Sequence, residues 1–162
     1  MLRLLFIISI LSCFVLTNAQ GNWCLTQQSD KQKSWLKQFQ LTRNGQVIPK
    51  TPKYLPVKAH IVGDNDGQGY YRLENLWSQM CDLNAHFLST GLQFYLKDPI
   101  DFFDHSGLHN HSSQSQIDQG ISSSLTSNVV NLYFVHSMGE LQACGYYTGY
   151  HDCMVIDNGC AG

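Results

Sequence analysis

Between residues 54 and 62 the apolar positions Leu55, Val57, Ala59 and Ile61 alternate along the chain, which predicts a half-buried strand. The cluster Gly63-Asp64-Asn65-Asp66-Gly67 closes it as a turn. Residues 72–88 change period. Leu73, Leu76, Trp77, Met80, Leu83, Phe87 and Leu88 fall at helical spacing, with no Gly or Pro until Gly91, so one long helix is expected to stop there. A second short strand follows over 92–96, and strand, helix, strand in that order predicts a right-handed crossover between parallel strands. Residues 101–119 are rich in His, Ser and Gln and read as a loop, ending in a short helix near 117–125. Residues 129–135 are apolar on both faces, the pattern of an interior strand. Gly139-Glu140 makes a turn, and 141–147 and 153–156 are two more strands, the first at an edge.

Ahead of this lies a polar stretch, residues 20–52. It holds one short amphipathic helix over 29–39, with Trp35, Leu36 and Phe39 on a shared face, then Asn44-Gly45 and two prolines. It reads as an N-terminal extension or propeptide-like segment. The expected fold is α/β: a twisted mixed sheet of about five strands with one long helix, over residues 53–162.

The first nineteen residues stand apart. Met1-Leu2-Arg3 is a short positive start, residues 4–16 are almost wholly apolar, and Thr17-Asn18-Ala19 supplies small residues at the cleavage positions. This is the pattern of a secretory signal peptide cut after Ala19, which implies a secreted, extracellular protein and no membrane anchor after cleavage. A span needs about 20 apolar residues, and Asn18, Gln20 and Asn22 end this stretch too early. Ile10-Leu11-Ser12-Cys13 loosely resembles a lipobox, but Phe14-Val15-Leu16 after it is apolar.

Composition narrows the classes. In 162 residues there are 10 Lys+Arg and 12 Asp+Glu, and 14% charged content is well below the usual ~25%. No basic surface for nucleic acid is expected. Removing residues 1–19 removes Arg3 and Cys13, leaving a net charge of 9 − 12 = −3 and 6 − 1 = 5 cysteines: Cys24, Cys81, Cys144, Cys153 and Cys160. An odd number in an oxidising compartment leaves a free thiol or a disulfide partner in another chain or beyond Gly162. Cys144 and Cys153 close a short loop that would clasp a hairpin, with Cys160 left as half of another pair.

Several chemistries lose their support on residue pattern. The chain has no G-x-S-x-G, no G-x-x-x-x-G-K-[ST] and no G-x-G-x-x-G. Glu74 and Glu140 are the only glutamates and neither follows a histidine, so H-E-x-x-H is absent. His105, His109 and His111 are spaced as zinc ligands could be, yet Gly107 and the sequon Asn110-His111-Ser112 favour a solvated loop. His60, His86 and His136 fall on regular elements, where a hydrogen-bonded structural role is the simpler reading. Asp64-Asn65-Asp66-Gly67-Gln68-Gly69 begins like a calcium loop but has Gln68 at its fifth position and Asn75 in place of the bidentate Glu. Gln142-Ala143-Cys144-Gly145 is close to a caspase nucleophile signature, with Tyr146 in place of its final Gly.

One ordered series of segments carries a resemblance. Residues 55–62 (LPVKAHIV), Asp64-Asn65-Asp66-Gly67, residues 82–87 (DLNAHF), residues 91–96 (GLQFYL), residues 130–135 (VNLYFV), Gly145-Tyr146 and Met154-Val155-Ile156 resemble the opening of pappalysin-type zinc metallopeptidases, a metzincin group. The resemblance runs over residues 54–160. It implies the N-terminal, upper subdomain of such an enzyme, in which an antiparallel edge strand pairs with an extended peptide substrate by backbone hydrogen bonds. Here that strand is 141–147, and the substrate-binding positions the resemblance implies on it are Ala143, Gly145 and Tyr147. In the family, zinc and the general base sit on an H-E-x-x-H-x-x-G-x-x-H helix after the strand that Met154-Val155-Ile156 resembles. No position here matches it, so no catalytic or zinc-binding residue carries over, and the chain is expected to be truncated and inactive as written. The rival is a non-catalytic binding module that holds a peptide or protein partner on the sheet edge or on Tyr146, Tyr147 and Tyr150.

Overall fold

The computed structural model describes residues 30–43, 51–141, 143–149 and 151–161. In chain order the elements are α1 (Asp30–Arg43), β1 (Lys53–Gly63), α2 (Leu73–Phe87), β2 (Leu92–Leu96), β3 (Asp101–Asp104), α3 (Ser106–His109), α4 (Gln114–Ile121), β4 (Val130–Val135), β5 (Gly145–Thr148) and β6 (Cys153–Asp157), with 3-10 turns at Leu88–Thr90 and Gly139–Leu141. The class is α/β with a mixed six-stranded sheet in the order β2-β1-β4-β6-β5, and β3 joins β1 on the same side as β2. β1 runs parallel to β2, β3 and β4, and β4 runs parallel to β6. Only β5 is antiparallel, paired with β6.

Two cores follow from the alternation of side chains across these strands. Val57, Ala59, Ile61, Leu132 and Phe134 face α2, where Leu76 and Met80 meet them. Val62, Tyr133, Val135, Tyr146, Cys153 and Val155 face the other way, under α3 and α4 through Leu108, Ile117 and Ile121. β1 is therefore buried on both faces from Val57 to Gly63, a correction to the half-buried strand its alternation suggests. Lys58 and His60, the polar half of that alternation, are buried too. Strands on both sides of β1 cover them, and a polar partner on β3 meets them there.

α2 begins one residue later than expected and ends through the 3-10 turn at Gly91, whose φ of 73° is the left-handed conformation glycine adopts freely. It is not the one long helix, because α1 has 14 residues against its 15 and runs to Arg43 rather than stopping at residue 39. Residues 101–104 are a strand and not loop, which raises the count from five to six. The short helix falls at Gln114–Ile121, earlier than 117–125. The interior strand and the last strand fall as expected, while the edge strand starts at Gly145 because residues 139–141 form a turn. Among the described residues no helix is long and apolar enough to cross a membrane. The stretch read as a signal peptide, Cys13 and Cys24 lie outside the described residues.

Candidate functional site

β5 is the outer strand of the sheet, and its register fixes which backbone groups face outward. Gly145 pairs with Ile156, Tyr146 with Val155, Tyr147 with Met154 and Thr148 with Cys153. One step before the strand, Asp157 N–H donates to Cys144 O at 3.0 Å, so Cys144 and Asp157 are a hydrogen-bonded pair. Antiparallel ladders alternate hydrogen-bonded and non-hydrogen-bonded pairs. Tyr146 and Thr148 therefore point their amide groups at β6, and Gly145 and Tyr147 turn theirs to the outer side. Of the three positions the resemblance implies, two lie on the strand with that orientation. Ala143 precedes the strand and packs its side chain into the core under the sheet.

Three features hold this edge in place. Tyr146 is buried, and its hydroxyl lies 3.3 Å from His111 Nε2, whose Nδ1 is 3.3 Å from Leu108 O. Tyr147 OH donates to Asp152 Oδ1 at 2.8 Å across the hairpin. Cys144 is bonded to Cys160, 16 positions further along the chain, with Cα atoms 5.3 Å apart. That pairing corrects the expected Cys144–Cys153 clasp: Cys153 is turned into the core on β6, and Cys160 sits at the turn that brings it beside Cys144. It also removes Cys144 as a nucleophile. Cys81 is an exposed thiol on α2.

Gly145 is where a side chain cannot go. A Cβ built there would lie 2.9 Å from Val155 O, in backbone that cannot swing aside. Gly145→Val is expected to lower stability by about 1–3 kcal/mol, the range for overpacking, and to splay β5 from β6. A urea midpoint equal to that of the unaltered chain would show that the strand does not approach this closely.

The segment of His105, His109 and His111 is not the solvated loop that Gly107 and the sequon suggest, because His109 and His111 are buried, and the three rings do not converge. His105 caps α3, accepting from Leu108 N–H at 3.0 Å through Nδ1. His109 stacks on His136 at 4.9 Å and places Nε2 3.2 Å from Gly69 O, while its Nδ1 accepts from Asn110 Nδ2 at 3.0 Å. His111 is buried beneath Tyr146. Among the described residues no group of three or more His, Cys, Asp or Glu is placed to hold a metal ion. The calcium-like loop is a turn closed by its own first residue: Asp64 Oδ1 accepts from Asp66 N–H and Gln68 N–H at 2.9 and 2.8 Å. Asn110, the sequon residue, is exposed.

Sequence reading missed the buried polar cluster on the α3 and α4 side of β1. Lys58 Nζ lies 2.8 Å from Asp101 Oδ1 and also donates to Pro99 O. His60 is fully buried against Tyr133, ring centroids 4.3 Å apart. Asn131 Oδ1 accepts from Thr126 N–H, and its Nδ2 donates to Thr126 O, which fixes the amide orientation. Its oxygen therefore faces His60 Nε2 at 3.0 Å, and that nitrogen must carry the proton. Nδ1 is 3.2 Å from Asp101 Oδ2 but off the line of a hydrogen bond. Burial holds His60 below the ordinary imidazole value, outweighing the opposing pull of Asn131 and Asp101. Burial lowers His111 as well, against the Leu108 carbonyl, and pushes the Tyr133 hydroxyl up to about 12. The only signal in sequence was the polar pair Lys58 and His60 inside an otherwise apolar strand.

Those two histidines give a pH dependence with a definite sign. Each takes up a proton more readily when unfolded, so the unfolded state gains protons first as pH falls below the ordinary value of 6.5. Stability is expected to be level above that pH and to fall between about pH 6.5 and 5, before the carboxylates titrate. Urea midpoints measured across this range should decline, and less steeply in His111→Gln. A midpoint that rises on acidification would contradict the burial of both rings.

No protein-family model matches the chain, and no curated protein or solved structure matches it either.

Proposed function

We propose that this chain is the substrate-cleft part of a secreted zinc metalloendopeptidase of the pappalysin type, in which an extended peptide pairs with the outer side of β5. The observation that carries the reading is the placement of β5: the one antiparallel strand, outermost in the sheet, with the backbone groups of Gly145 turned outward. An exposed strand edge offers alternating donors and acceptors that any extended peptide matches, so affinity comes from main chain and selectivity from neighbouring side chains. The order of strands and helix along residues 54–160, which carries the resemblance, supports the same reading, as does the disulfide that anchors the start of β5. The apolar stretch at residues 4–16 supports secretion.

The residues present do not fit the family's zinc centre. H-E-x-x-H is absent from the sequence, and His105, His109 and His111 are occupied in a helix cap, a stacked pair and a core contact. No hydrolytic step is assigned to these residues. What they do is bind and orient. The same edge would serve a non-catalytic peptide-binding module, and both readings require peptide capture at β5.

Peptide capture is tested with the chain lacking residues 1–19 and a set of extended peptides, by calorimetry. Each main-chain hydrogen bond contributes about 1 kcal/mol, so N-methylation at the alternate positions that face β5 should weaken binding about five- to tenfold per site, and methylation at the intervening positions should matter little. Equal effects at both sets of positions, or no binding by any extended peptide, would contradict the proposal.

A further inference from the structure

We infer that Asn84 closes the β2 edge of the sheet against pairing with a second copy of this chain, its side-chain amide occupying the place where a neighbouring strand would meet Phe94. β2 stands at the end of the sheet order and pairs with β1 alone among the described strands. Which of its backbone groups face outward follows from that ladder. Lys53 N–H donates to Gly91 O and Lys97 N–H donates to Val57 O, so the odd-numbered residues of this stretch turn their amide groups to β1. Backbone groups alternate along a strand, and Leu92, Phe94 and Leu96 turn theirs away. Those of Leu92 and Phe94 are already taken. Phe94 N–H donates to Asn84 Oδ1 at 2.6 Å and Phe94 O accepts from Asn84 Nδ2 at 2.9 Å, a donor and an acceptor side by side as an incoming strand would supply them. Leu92 N–H donates to Thr90 Oγ1 at 3.2 Å, and Leu92 O accepts from Gln93 Nε2 at 2.9 Å.

The strand itself lacks the features that keep an edge from associating. Residues 92–96 (LQFYL) contain no charge and no proline. Tyr95 is 48% exposed, and Tyr54 on β1, which pairs with Gln93 on the same face, is 67% exposed. Asn is a poor helix former, yet it stands in the last turn of α2, where its side chain reaches β2. A second copy is the partner that the closed groups fit. Antiparallel pairing about a twofold axis at Phe94 would let the two Phe94 residues exchange both hydrogen bonds, the contacts that Asn84 now makes. It would also set Leu92 of one copy against Leu96 of the other. Every copy carries the complementary strand, so only the amide of Asn84 stands between this edge and a continuous sheet across two chains. The edge lies at the opposite end of the sheet from β5, and the inference does not rest on the peptidase reading.

Amide hydrogen exchange and sedimentation on the chain lacking residues 1–19 test it. At low concentration Asn84→Ala should speed exchange at Phe94 by at least about tenfold and leave Gln93 and Tyr95, whose amides face β1, within about twofold of the parent. The variant should also form a dimer at protein concentrations at least about tenfold below any at which the parent does, with Phe94 protected again in that dimer. Adding Tyr95→Lys, a charge on the edge strand, should return its association to the parent's level. Should Asn84→Ala disturb the β4 amides, Asn84→Leu keeps the bulk and favours the helix, can neither donate nor accept, and should give the same results. Unchanged exchange at Phe94 would overturn the inference, and so would equal acceleration of Gln93, Phe94 and Tyr95, which would make Asn84 a packing residue only. An open Phe94 with no gain in association would overturn it too, as would a second equivalent of extended peptide taken at Phe94 in place of a copy.

Discussion

Replacing Asp101 with Ala is expected to lower stability by about 3 kcal/mol, among the largest effects of any single polar substitution in this chain. An exposed ion pair contributes about 0–1 kcal/mol, because water solvates both charges when they separate. Lys58 differs: its side chain is 7% exposed in the middle of a sheet, and Asp101, itself 34% exposed, is its ion-pair partner. Deleting the carboxylate strands a buried ammonium with only the Pro99 carbonyl, and such losses run to about 3–5 kcal/mol. The partial exposure of Asp101 places the expected value at the lower end. His60 Nδ1 loses the same neighbour. The double variant Lys58→Met with Asp101→Leu removes the charge together with its partner and should recover most of the loss. Urea unfolding of the two variants measures both. A single variant within about 0.5 kcal/mol of the parent would mean that water reaches Lys58 after all.

Breaking the Cys144–Cys160 bond is expected to have an effect of similar size. The bond joins residues 16 positions apart, for which the loss of freedom in the unfolded chain corresponds to about 3 kcal/mol. Cys160→Ser and reduction of the parent should lower the urea midpoint by the same amount, and reductant should do nothing further to the variant. The consequence is local as well as global. Cys144 immediately precedes β5, whose other supports are its ladder to β6, the Tyr146 contact with His111 and the Tyr147 bond to Asp152. Peptide mapping distinguishes the alternatives directly: a fragment linking Cys144 to Cys160 is expected, and one linking Cys144 to Cys153 would overturn both the pairing and the energetic argument. A parent chain indifferent to reductant would do the same.

How much of this was legible in the residues depends on whether a signal was local. The helical run from Leu73 to Phe87 and its stop at Gly91 were readable because period and terminator are both short-range. So was the interior strand 130–135, apolar on both faces. The outer position of β5 also followed from the chain, whereas the outward phase of Gly145 and Tyr147 needed the register with β6. What failed needed knowledge of contacts distant in sequence. β1 looked half-buried because Lys58 and His60 interrupt its apolar run, and only Asp101, Pro99 and Asn131, all more than 35 residues away, make those polar positions compatible with burial. β3 was hidden for a related reason: Asp101-Phe102-Phe103-Asp104 is too short to show a period, and it is a strand because it continues along β1 where β2 leaves off. Proximity in sequence suggests a bond from Cys144 to Cys153, whereas the turn after β6 carries Cys160 back to Cys144 and the strand itself turns Cys153 inward.

The histidine-rich loop shows the same limit from the other side. Gly107 and the sequon suggest a solvated loop, but only His105 stays at the surface, capping α3, while His109 is buried in a stack on His136 and His111 lies in the core against Tyr146. Three rings within seven residues point in three directions because the chain changes from a helical turn to an extended bridge at Asn110.

The central claim is that β5 is a pairing edge, and the amide of Gly145 tests it most directly. In the chain lacking residues 1–19, titration with an extended peptide followed by amide-resolved hydrogen exchange should slow exchange at Gly145. Tyr146, whose amide already points at β6, should change little. Protection of Gly145 on peptide addition is the expected result. Peptide binding that leaves Gly145 unaltered would contradict the account, because the peptide would then occupy some other surface.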